Sequence, residues 1–392
     1  MAERHSSEGP DPVFVIVAGE VSGDILAAGL IRQLRQHYPR ARFVGVTGPR
    51  MRAEGCESWG DIEQLSLFGI SEVVGQIPRL LRFRQQLYSR VRKLRPDAFI
   101  GVDAPAFNTR LEERLRRVGV ATVHYVCPTA WAWRSNRTRR IRRAVDLMLA
   151  IFPFEPAFFA GYDIPVTFVG HPLADELPLH PDPASARRAL GLDENGPWVG
   201  LLPGSRGGEV SRLGPRFLHA ARWLAQRQPG VRFVVPLAND RVRARFEADL
   251  EAGFADLDVT LVDGRSREVM RAVDALLVAS GTATLEALLA KTPMVVAYEL
   301  SSSNYWLARS LNLIKTKFVS MPNLLAGRRL VPELLQTDAQ VPMLGAWLYR
   351  LLASEHARNE QVGAFETIHE GLSRGADAHA AEAVVQLIES RR

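Results

Sequence analysis

The chain has very little cysteine. Cys56 and Cys127 are the two cysteines among 392 residues, and they lie far apart. No second pair of ligands stands near either one, so the sequence indicates neither a disulfide framework nor a zinc site. We expect both side chains to be small, buried or half-buried thiols.

Long apolar runs are also absent. The longest, such as residues 147–152, fall far short of the roughly 20 residues that span a bilayer. Residues 1–12 are polar and include no signal-peptide core. We therefore expect a cytoplasmic protein whose residues 1–12 are disordered.

What the chain does have is ample apolar material and an uneven charge. Its 392 residues, of which 47% are hydrophobic, predict two domains or three small ones. The net charge is only +6, yet residues 75–144 contain 17 Lys and Arg against four acidic residues. This segment is therefore strongly basic and suits an anionic partner.

The first half opens like a nucleotide-binding α/β domain. Apolar residues 13–18 predict a buried strand, and GEVSGD then leads into a helix with apolar residues at helical spacing. Gly19 and Gly23 do not form GxGxxG, which argues against an NAD site. Glu20 follows the strand at its carboxyl end, where it is either a functional group or a turn residue.

Asp103 follows another buried strand, residues 98–102. It is placed to cap the next helix, which the pattern predicts over residues 109–118. The same position is also where a general base would face a cleft between two domains, and we favour that interpretation.

A basic helix is predicted within residues 65–95. Apolar residues around glycines come first, and arginines follow, among them Arg79, Arg82 and Arg84. Such a helix either docks on an anionic membrane surface or is a solvated outer helix. We favour membrane contact.

A second basic segment combines arginines with tryptophan. Trp131 and Trp133 precede six arginines, of which Arg134 is the first. Aromatic residues beside arginines can bind nucleic acid, but no nucleic-acid module is recognisable here. An anionic small molecule or a lipid head group would use the same chemistry.

A proline-rich stretch, residues 172–183, reads as a linker between two domains. His171 lies just before it and is either a catalytic residue or a structural one in a Gly-His-Pro turn. We favour the structural interpretation.

The second half begins again with a strand and a glycine-rich turn. Residues 198–202 predict the strand, and PGSRGGEV follows it. Backbone amides near Gly204, with Ser205 and the cation Arg206, form a pattern that could hold phosphate. The turn is not a Walker A loop, because its GK[ST] ending is missing.

Residues 274–300 predict a strand, a turn, a helix and another strand. Gly281 permits a sharp turn between Ser280 and Thr282, and the following helix would direct its free N–H groups toward a phosphate. Glu286, one turn into this helix, either accepts hydrogen bonds from a ribose or is a solvated glutamate.

Two further patterns need a brief interpretation. Residues 319–328 predict a strand and turn that present Asn323. Asp256 and Asp258 match a metal-binding Asp-x-Asp pattern, but they precede a strand instead of following one. We interpret that match as a chance feature of a loop.

Six strings, in order, carry a family resemblance: AGEVSGD from Ala18, GVDAPAFN from Gly101, WAWR from Trp131, LLPGSRGGEV from Leu201, ASGTATLEALLAKTPMVVAY from Ala279 and MPNLLAGR from Met321. Together they closely resemble the bacterial lipid-A-disaccharide synthase family, from about Val13 to the C-terminus. One departure is Cys127, where a serine often stands.

The resemblance agrees with the organisation of the chain, which predicts an α/β protein of GT-B architecture. Two Rossmann-like domains would face each other across a cleft: an acceptor and membrane-facing domain at 13–175 and a UDP-sugar domain at 184–345. Residues 346–392 would be C-terminal helices. The resemblance implies neither a metal nor a redox cofactor.

The resemblance also implies the reaction. The chain would transfer 2,3-diacylglucosamine from its UDP conjugate to the 6-hydroxyl of 2,3-diacylglucosamine 1-phosphate (lipid X), with inversion, giving a β-1,6 disaccharide and UDP. It would act as a peripheral enzyme on the inner membrane and bind no nucleic acid.

Residue roles follow by the same resemblance. Asp103 would be the base, with Glu20 lining the cleft. The nucleotide sugar would be bound by Gly204, Ser205, Arg206, Ser280, Gly281, Thr282, Thr284, Glu286 and Asn323. The acceptor phosphate and the membrane would meet Arg79, Arg82, Arg84 and Arg134.

Two other functions stay open from the sequence. A UDP-sugar 2-epimerase of the same architecture would bind the same nucleotide but would need no acceptor. A non-catalytic protein that binds anionic lipid or nucleic acid would use the basic segment 75–144, but it would leave the 280–286 turn unexplained.

Overall fold

The structure is a computed structural model that describes residues 11–66, 73–128, 138–299 and 317–392. Residues 1–10 of the predicted disordered segment 1–12 lie outside these ranges. Pro12 is ordered, because it is buried and its carbonyl accepts a hydrogen bond from the N–H of Arg42. The chain divides into two compact units. The first comprises Met1–Pro172 with Ser373–Arg392, and the second comprises Leu173–Leu372.

The first unit is built on one parallel sheet. Its strands are β1 (Val13–Ala18), β2 (Arg42–Thr47), β3 (Glu57–Asp61), β4 (Ala98–Val102), β5 (Ala121–Tyr125), β6 (Leu147–Ala150) and β7 (Val166–Phe168). Their order in the sheet is β3-β2-β1-β4-β5-β6-β7. The order therefore reverses between β1 and β4, which is the point where ligands bind in doubly wound folds.

Helices connect these strands. They are α1 (Val21–His37), α2 (Pro49–Ala53), α3 (Glu63–Ser66), α4 (Val73–Leu94), α5 (Pro105–Arg116), α6 (Thr138–Ala144), α7 (Glu155–Ala160) and α8 (Pro172–Glu176), whose first residue ends the unit. Every residue of β4 and β5 is buried, because both faces of a parallel sheet are covered by helices.

The second unit repeats the plan. Its strands are β8 (Trp198–Leu202), β9 (Arg232–Leu237), β10 (Val259–Asp263), β11 (Ala275–Ala279), β12 (Met294–Tyr298) and β13 (Glu333–Leu335). They are parallel and ordered β10-β9-β8-β11-β12-β13, so the reversal falls between β8 and β11. Val278 of β11 pairs with Leu202 of β8, which brings the two following loops side by side.

The helices of the second half are α9 (Pro183–Leu190), α10 (Gly207–Ala225), α11 (Asp240–Gly253), α12 (Ser266–Ala272), α13 (Ala283–Leu289), α14 (Met321–Ala326), α15 (Val341–Ala353), α16 (Glu355–Leu372) and α17 (Ala376–Glu389). The last of them packs against α1 and belongs to the first unit. The predicted C-terminal segment 346–392 is thus divided between the two units.

The predicted fold class, an α/β protein with two Rossmann-like halves, is confirmed by these two sheets. Several local predictions were wrong. The helix after Asp103 begins at Pro105 because proline suits the first turn of a helix. The stretch 319–328 is not a strand, because Ser320 and Pro322 begin the helix α14. The proline-rich linker contains the helix α8.

None of the helices in the described part of the chain combines the length and the apolar character that crossing a bilayer requires.

Candidate active site

A cavity of about 490 Å³ lies in the second unit, where the strand order reverses. Its walls come from the loops that follow β8, β9, β10 and β11. Of the predicted nucleotide residues, the lining includes Gly204, Ser205, Arg206, Ser280, Gly281, Thr282 and Glu286. The carboxyl ends of neighbouring parallel strands meet at one edge, which explains why two segments about 75 residues apart share one site.

The loop after β8 is fixed by the carboxylate of Glu209, which lies inside it. Gly204 has φ +124°, and a Cβ at this position would lie 2.6 Å from Glu209 Oε2. That carboxylate accepts hydrogen bonds from the backbone N–H of Ser205 at 3.3 Å and of Arg206 at 3.4 Å. The side chain of Arg206 is 85% exposed, and its guanidinium lies 3.7 Å from Glu209 Oε1 at the start of α10.

The loop after β11 is fixed from within the protein. Gly281 has φ +152°, a conformation that favours glycine. Ser280 Oγ donates to the carbonyl of Val319 at 2.8 Å. Thr284 is buried; its hydroxyl donates to the carbonyl of Gly281 and accepts from the N–H of Met321. Thr284 therefore shapes the loop from behind and does not line the cavity.

Glu286 lines the cavity together with a fixed partner. Its Oε1 accepts a hydrogen bond from Arg267 Nε at 3.0 Å. The side chain of Glu286 is 24% exposed. Because Arg267 holds one carboxylate oxygen, the orientation of the other is restricted, and Glu286 is not a freely solvated glutamate.

Asn323 lies away from the cavity lining. It is completely buried within α14, and its amide is used by the backbone around it. Oδ1 accepts from the N–H of Leu330 at 2.6 Å and of Val331 at 2.8 Å, while Nδ2 donates to the carbonyl of Val331 at 3.0 Å. Its visible role is to hold the turn that leads into β13.

Sequence reasoning missed part of the lining. Glu209, Ser266, Met270 and Tyr298 all contribute to it. Burial, with the charge of Glu209 second, raises the pKa of Tyr298. Glu209 stands three residues after Arg206 at a helix start, a spacing typical of a glutamate that caps a helix, and this signal could have found it.

Asp103 lies at the reversal of strand order in the first unit. Its N–H donates to the carbonyl of Tyr125 at 2.9 Å, and its side chain is partly exposed. Asp103 and Ala104 have φ of +54° and +45°, two successive left-handed residues that are not glycine. No side chain caps the helix α5, so the capping interpretation of Asp103 fails. Strain of this kind is concentrated at functional sites.

Glu20 lies at the end of the neighbouring strand. Ala18 of β1 pairs with Val102 of β4, so the turns after the two strands are adjacent. Glu20 precedes α1, is exposed and makes no side-chain cap. The structure therefore brings Glu20 and Asp103 to one edge of the sheet.

The predicted basic surface is only partly described. Arg79 and Arg82 are exposed on α4, while Arg84 is half-buried. Burial, followed by the charges of Arg110 and Arg114, lowers the pKa of Arg84. Arg134, Trp131 and Trp133 lie outside the described residues.

The remaining predictions concern single residues. Both cysteines are buried, as predicted, and burial raises the pKa of Cys56 to about 12. Asp256 forms an ion pair with Arg222 in a loop. His171 packs against the ring of Phe152, with centroids 5.6 Å apart. Within the described ranges, no three His, Cys, Asp or Glu side chains are grouped as ligands for a metal.

Comparisons with known proteins give consistent results. Residues 14–387 match the model of a family described as lipid-A-disaccharide synthetase. The chain is 50% identical over 380 residues to the lipid-A-disaccharide synthase of Aeromonas hydrophila, covering 97% of this chain and 99% of the relative. It is 50% identical over 376 residues to that of Escherichia coli K12, covering 96% and 98%.

Solved structures share the fold at low identity. A UDP-GlcNAc 2-epimerase from Neisseria meningitidis, bound to UDP-GlcNAc, has a TM-score of 0.62 and 13% identity, with 96% of this chain and 100% of that chain covered. A UDP-glucosyltransferase from Polygonum tinctorium has a TM-score of 0.60 and 13% identity, with 98% and 100% covered. The GT-B architecture predicted from the sequence is thereby confirmed.

Proposed function

Because the chain belongs to the lipid-A-disaccharide synthetase family and is a glycosyltransferase, we propose that it transfers 2,3-diacylglucosamine from its UDP conjugate to the 6-hydroxyl of 2,3-diacylglucosamine 1-phosphate. The products are the β-1,6-linked disaccharide 1-phosphate of lipid A biosynthesis and UDP. The structural observation that carries this proposal is the cavity of the second unit, formed by both predicted loops.

The cavity has the properties of a nucleotide site. Its volume of about 490 Å³ falls within the range, roughly 300–1,000 Å³, typical of small-molecule sites. At the start of α10 the N–H of Glu209 donates to the carbonyl of Arg206, and the Glu209 carboxylate accepts from the N–H groups of Ser205 and Arg206. The N–H groups of Gly207 and Gly208 are therefore the ones that would meet an anion there. Arg206, a largely exposed cation paired with Glu209, lies beside them.

Glu286 binds the ribose in this account. Arg267 fixes Oε1 of its carboxylate. Oε2 then accepts a hydrogen bond from a ribose hydroxyl, which is the role of acidic residues in other nucleotide folds. Tyr298 and Met270 line the same cavity and offer apolar surface to the nucleotide.

Asp103 is the general base. As the acceptor 6-oxygen attacks the anomeric carbon, its proton passes to the Asp103 carboxylate and the bond from that carbon to the UDP oxygen breaks. The carbon passes through an oxocarbenium-like state, and its configuration inverts. A positioned base contributes roughly 10²- to 10⁴-fold to the rate.

The departing UDP needs stabilisation of its negative charge more than it needs a proton. Arg206 and the N–H groups of Gly207, Gly208, Gly281 and Thr282 supply positive charge at the diphosphate. This arrangement removes the requirement for a metal ion. Glu20, beside Asp103 at the sheet edge, contacts the acceptor sugar.

The helix α4 rests on the anionic inner surface of the membrane. It carries exposed Arg79 and Arg82, and Leu81 is exposed between them. Both substrates have acyl chains, so an enzyme at the surface need not draw these chains into water. Arginine also binds the acceptor phosphate, since guanidinium groups match its oxygens.

Product analysis tests the proposal. Purified protein is incubated in detergent with UDP-2,3-diacylglucosamine, with the 1-phosphate acceptor, or with both, and the products are identified by mass spectrometry. Disaccharide and UDP formed only from the pair support the proposal. An altered UDP-sugar formed without acceptor would instead identify an epimerase, and binding without turnover would contradict an enzymatic role.

A further inference from the structure

Two titratable side chains are completely buried in the first unit and face each other. Glu112 of α5 and His124 of β5 are both 0% exposed, and Glu112 Oε1 lies 2.7 Å from His124 Nδ1. The mechanism above uses neither of them. A buried carboxylate and imidazole in direct contact are costly to desolvate, which makes a purpose for them worth seeking.

The pair lies directly behind the Asp103 turn. His124 is in register with Gly101, two residues before Asp103. A Cβ on Gly101 would lie 2.2 Å from Glu112 Oε1, so the glycine makes room for the carboxylate. Asn108, one turn before Glu112, donates from Nδ2 to the carbonyl of Asp103 at 2.8 Å. The helix that carries Glu112 thus also holds the strained turn.

Each member of the pair favours its protonated form more strongly than an exposed group would. Burial raises the pKa of Glu112, and the attraction of His124 only partly opposes this. Burial lowers the pKa of His124, but the charge and hydrogen bond of Glu112, together with the charge of Asp103, outweigh burial and raise it. The carboxylate of Asp103 is therefore close enough to interact electrostatically with the imidazole.

Few other charges reach this position. The flanking strands β4 and β6 contain only apolar residues and glycine. Arg110 on α5 is exposed, and so are Arg139, Arg140, Arg142 and Arg143 on α6. Glu113, Arg114 and Arg116, also on α5, pair with Arg117, Gln85 and Asp146. Glu112 and Asp103 are the charged groups that act on the imidazole.

Three polar atoms in this group are buried without a hydrogen-bond partner in the described part of the chain. They are Glu112 Oε2, His124 Nε2 and Asn108 Oδ1. Buried polar atoms without partners destabilise a fold, and natural proteins accept such departures mainly at functional sites. A purely structural pair would be expected to satisfy its own atoms.

We propose that the buried Glu112–His124 pair is a positioning element that joins α5 to β5 and so holds the turn that presents the Asp103 carboxylate. Without this contact, α5 and the hydrogen bond from Asn108 to the Asp103 carbonyl would be free to shift. The inference rests on the proposed role of Asp103 as the base.

Steady-state kinetics with a conservative variant test the role. Glu112→Ala removes the contact with His124 and should lower kcat roughly tenfold or more, while UDP affinity stays that of wild type because the nucleotide cavity lies in the second unit. Glu112→Gln keeps an oxygen that can accept from His124 Nδ1 and should restore most of kcat. Thr122→Val, on the same strand, removes a buried hydroxyl and should leave kcat unchanged. Wild-type kcat in Glu112→Ala, or a Glu112→Gln variant as impaired as Glu112→Ala, would overturn the proposal.

Nuclear magnetic resonance provides a second test in which Glu112 and His124 are both left unchanged. In protein with ¹⁵N-labelled histidine, the His124 ring should lose its proton at a lower pH in Asp103→Asn than in wild type. An unchanged titration would overturn the proposal even if the Glu112 and His124 variants did not fold. If the wild-type protein forms no disaccharide, the proposed function itself is contradicted. If the wild-type protein is active but the titration of His124 does not respond to Asp103→Asn, the role of the pair alone is contradicted.

Discussion

Gly19 lies directly against Ala104, because a Cβ placed on Gly19 would come within 2.2 Å of the Ala104 Cβ. The first residue follows β1, and the second follows Asp103 in the left-handed turn after β4. The two turns at the reversal of strand order are therefore fitted to each other, and the position of Asp103 depends on a glycine more than 80 residues earlier in the chain.

Gly19→Ala should displace the Asp103 turn. Overpacking of this kind typically costs about 1–3 kcal/mol in the free energy of unfolding, and turnover should fall more than nucleotide affinity does. Gly161→Ala is the matched control, since nothing lies within 4 Å of the added Cβ. Denaturant unfolding and steady-state kinetics measure both effects. Equal behaviour of the two variants would show that the contact does not matter.

Glu286→Gln tests the ribose contact. Loss of a hydrogen bond to a charged group should weaken UDP binding roughly tenfold or more, as measured by calorimetry. Wild type should bind a deoxyribose analogue of UDP less tightly than UDP, while the variant should not distinguish the two. Glu251→Gln, an exposed glutamate of the same unit, is the control. A variant that still distinguishes the two nucleotides would exclude Glu286 from the ribose.

Binding to anionic vesicles should depend on α4. Replacing Arg79 and Arg82 by glutamine should reduce partitioning roughly 10- to 30-fold at low salt, since each basic residue near the surface contributes about 1 kcal/mol. Added salt should weaken wild-type binding. The control replaces Arg241 and Arg329, two exposed arginines of the second unit. Equal losses in both double variants would point to net charge alone.

Lys291 gives the second unit a pH-dependent stability. It is buried, and its ammonium donates to His369 Nδ1, while His369 Nε2 donates to the carbonyl of Ala174 at 2.7 Å. Burial lowers the pKa of Lys291 to about 8 from 10.5. Between about pH 8 and pH 10.5, Lys291 is protonated in the unfolded chain but not in the folded protein. The free energy of unfolding should therefore rise with pH over this range, by up to about 3 kcal/mol.

The comparison is with Lys291→Met, in which this contribution is absent. Denaturant titrations near pH 7 and pH 10 should show the free-energy difference between the two proteins changing in favour of wild type at the higher pH. A difference that stays constant would mean that the ammonium has its ordinary pKa in the folded protein.

The sequence predicted the elements that local patterns determine. Apolar runs gave the strands, and glycine-rich turns after them gave the two loops that meet at the cavity, because the carboxyl ends of parallel strands must lie together. The prediction made from local pattern was wrong at Asn323. Its position after a short apolar run predicted a turn, but a helix starts there with Ser320 and Pro322 at its beginning.

Relationships over long distances in the chain could not be predicted. The contact of α17 with α1 joins the two ends of the chain, and no periodicity of either helix specifies its partner. Glu112 and His124 likewise meet only because α5 packs on β4 and β5. Glu112 falls in the helix predicted over residues 109–118, and nothing in that pattern indicated a buried partner for its carboxylate.

Asp103→Asn tests the central claim most directly, because the amide keeps the size of the side chain but cannot accept the proton. Disaccharide formation should fall roughly 10²- to 10⁴-fold. The affinity for UDP, measured on the same preparation by calorimetry, should remain that of wild type, because the nucleotide cavity lies in the second unit. Near-normal turnover by this variant would contradict the account.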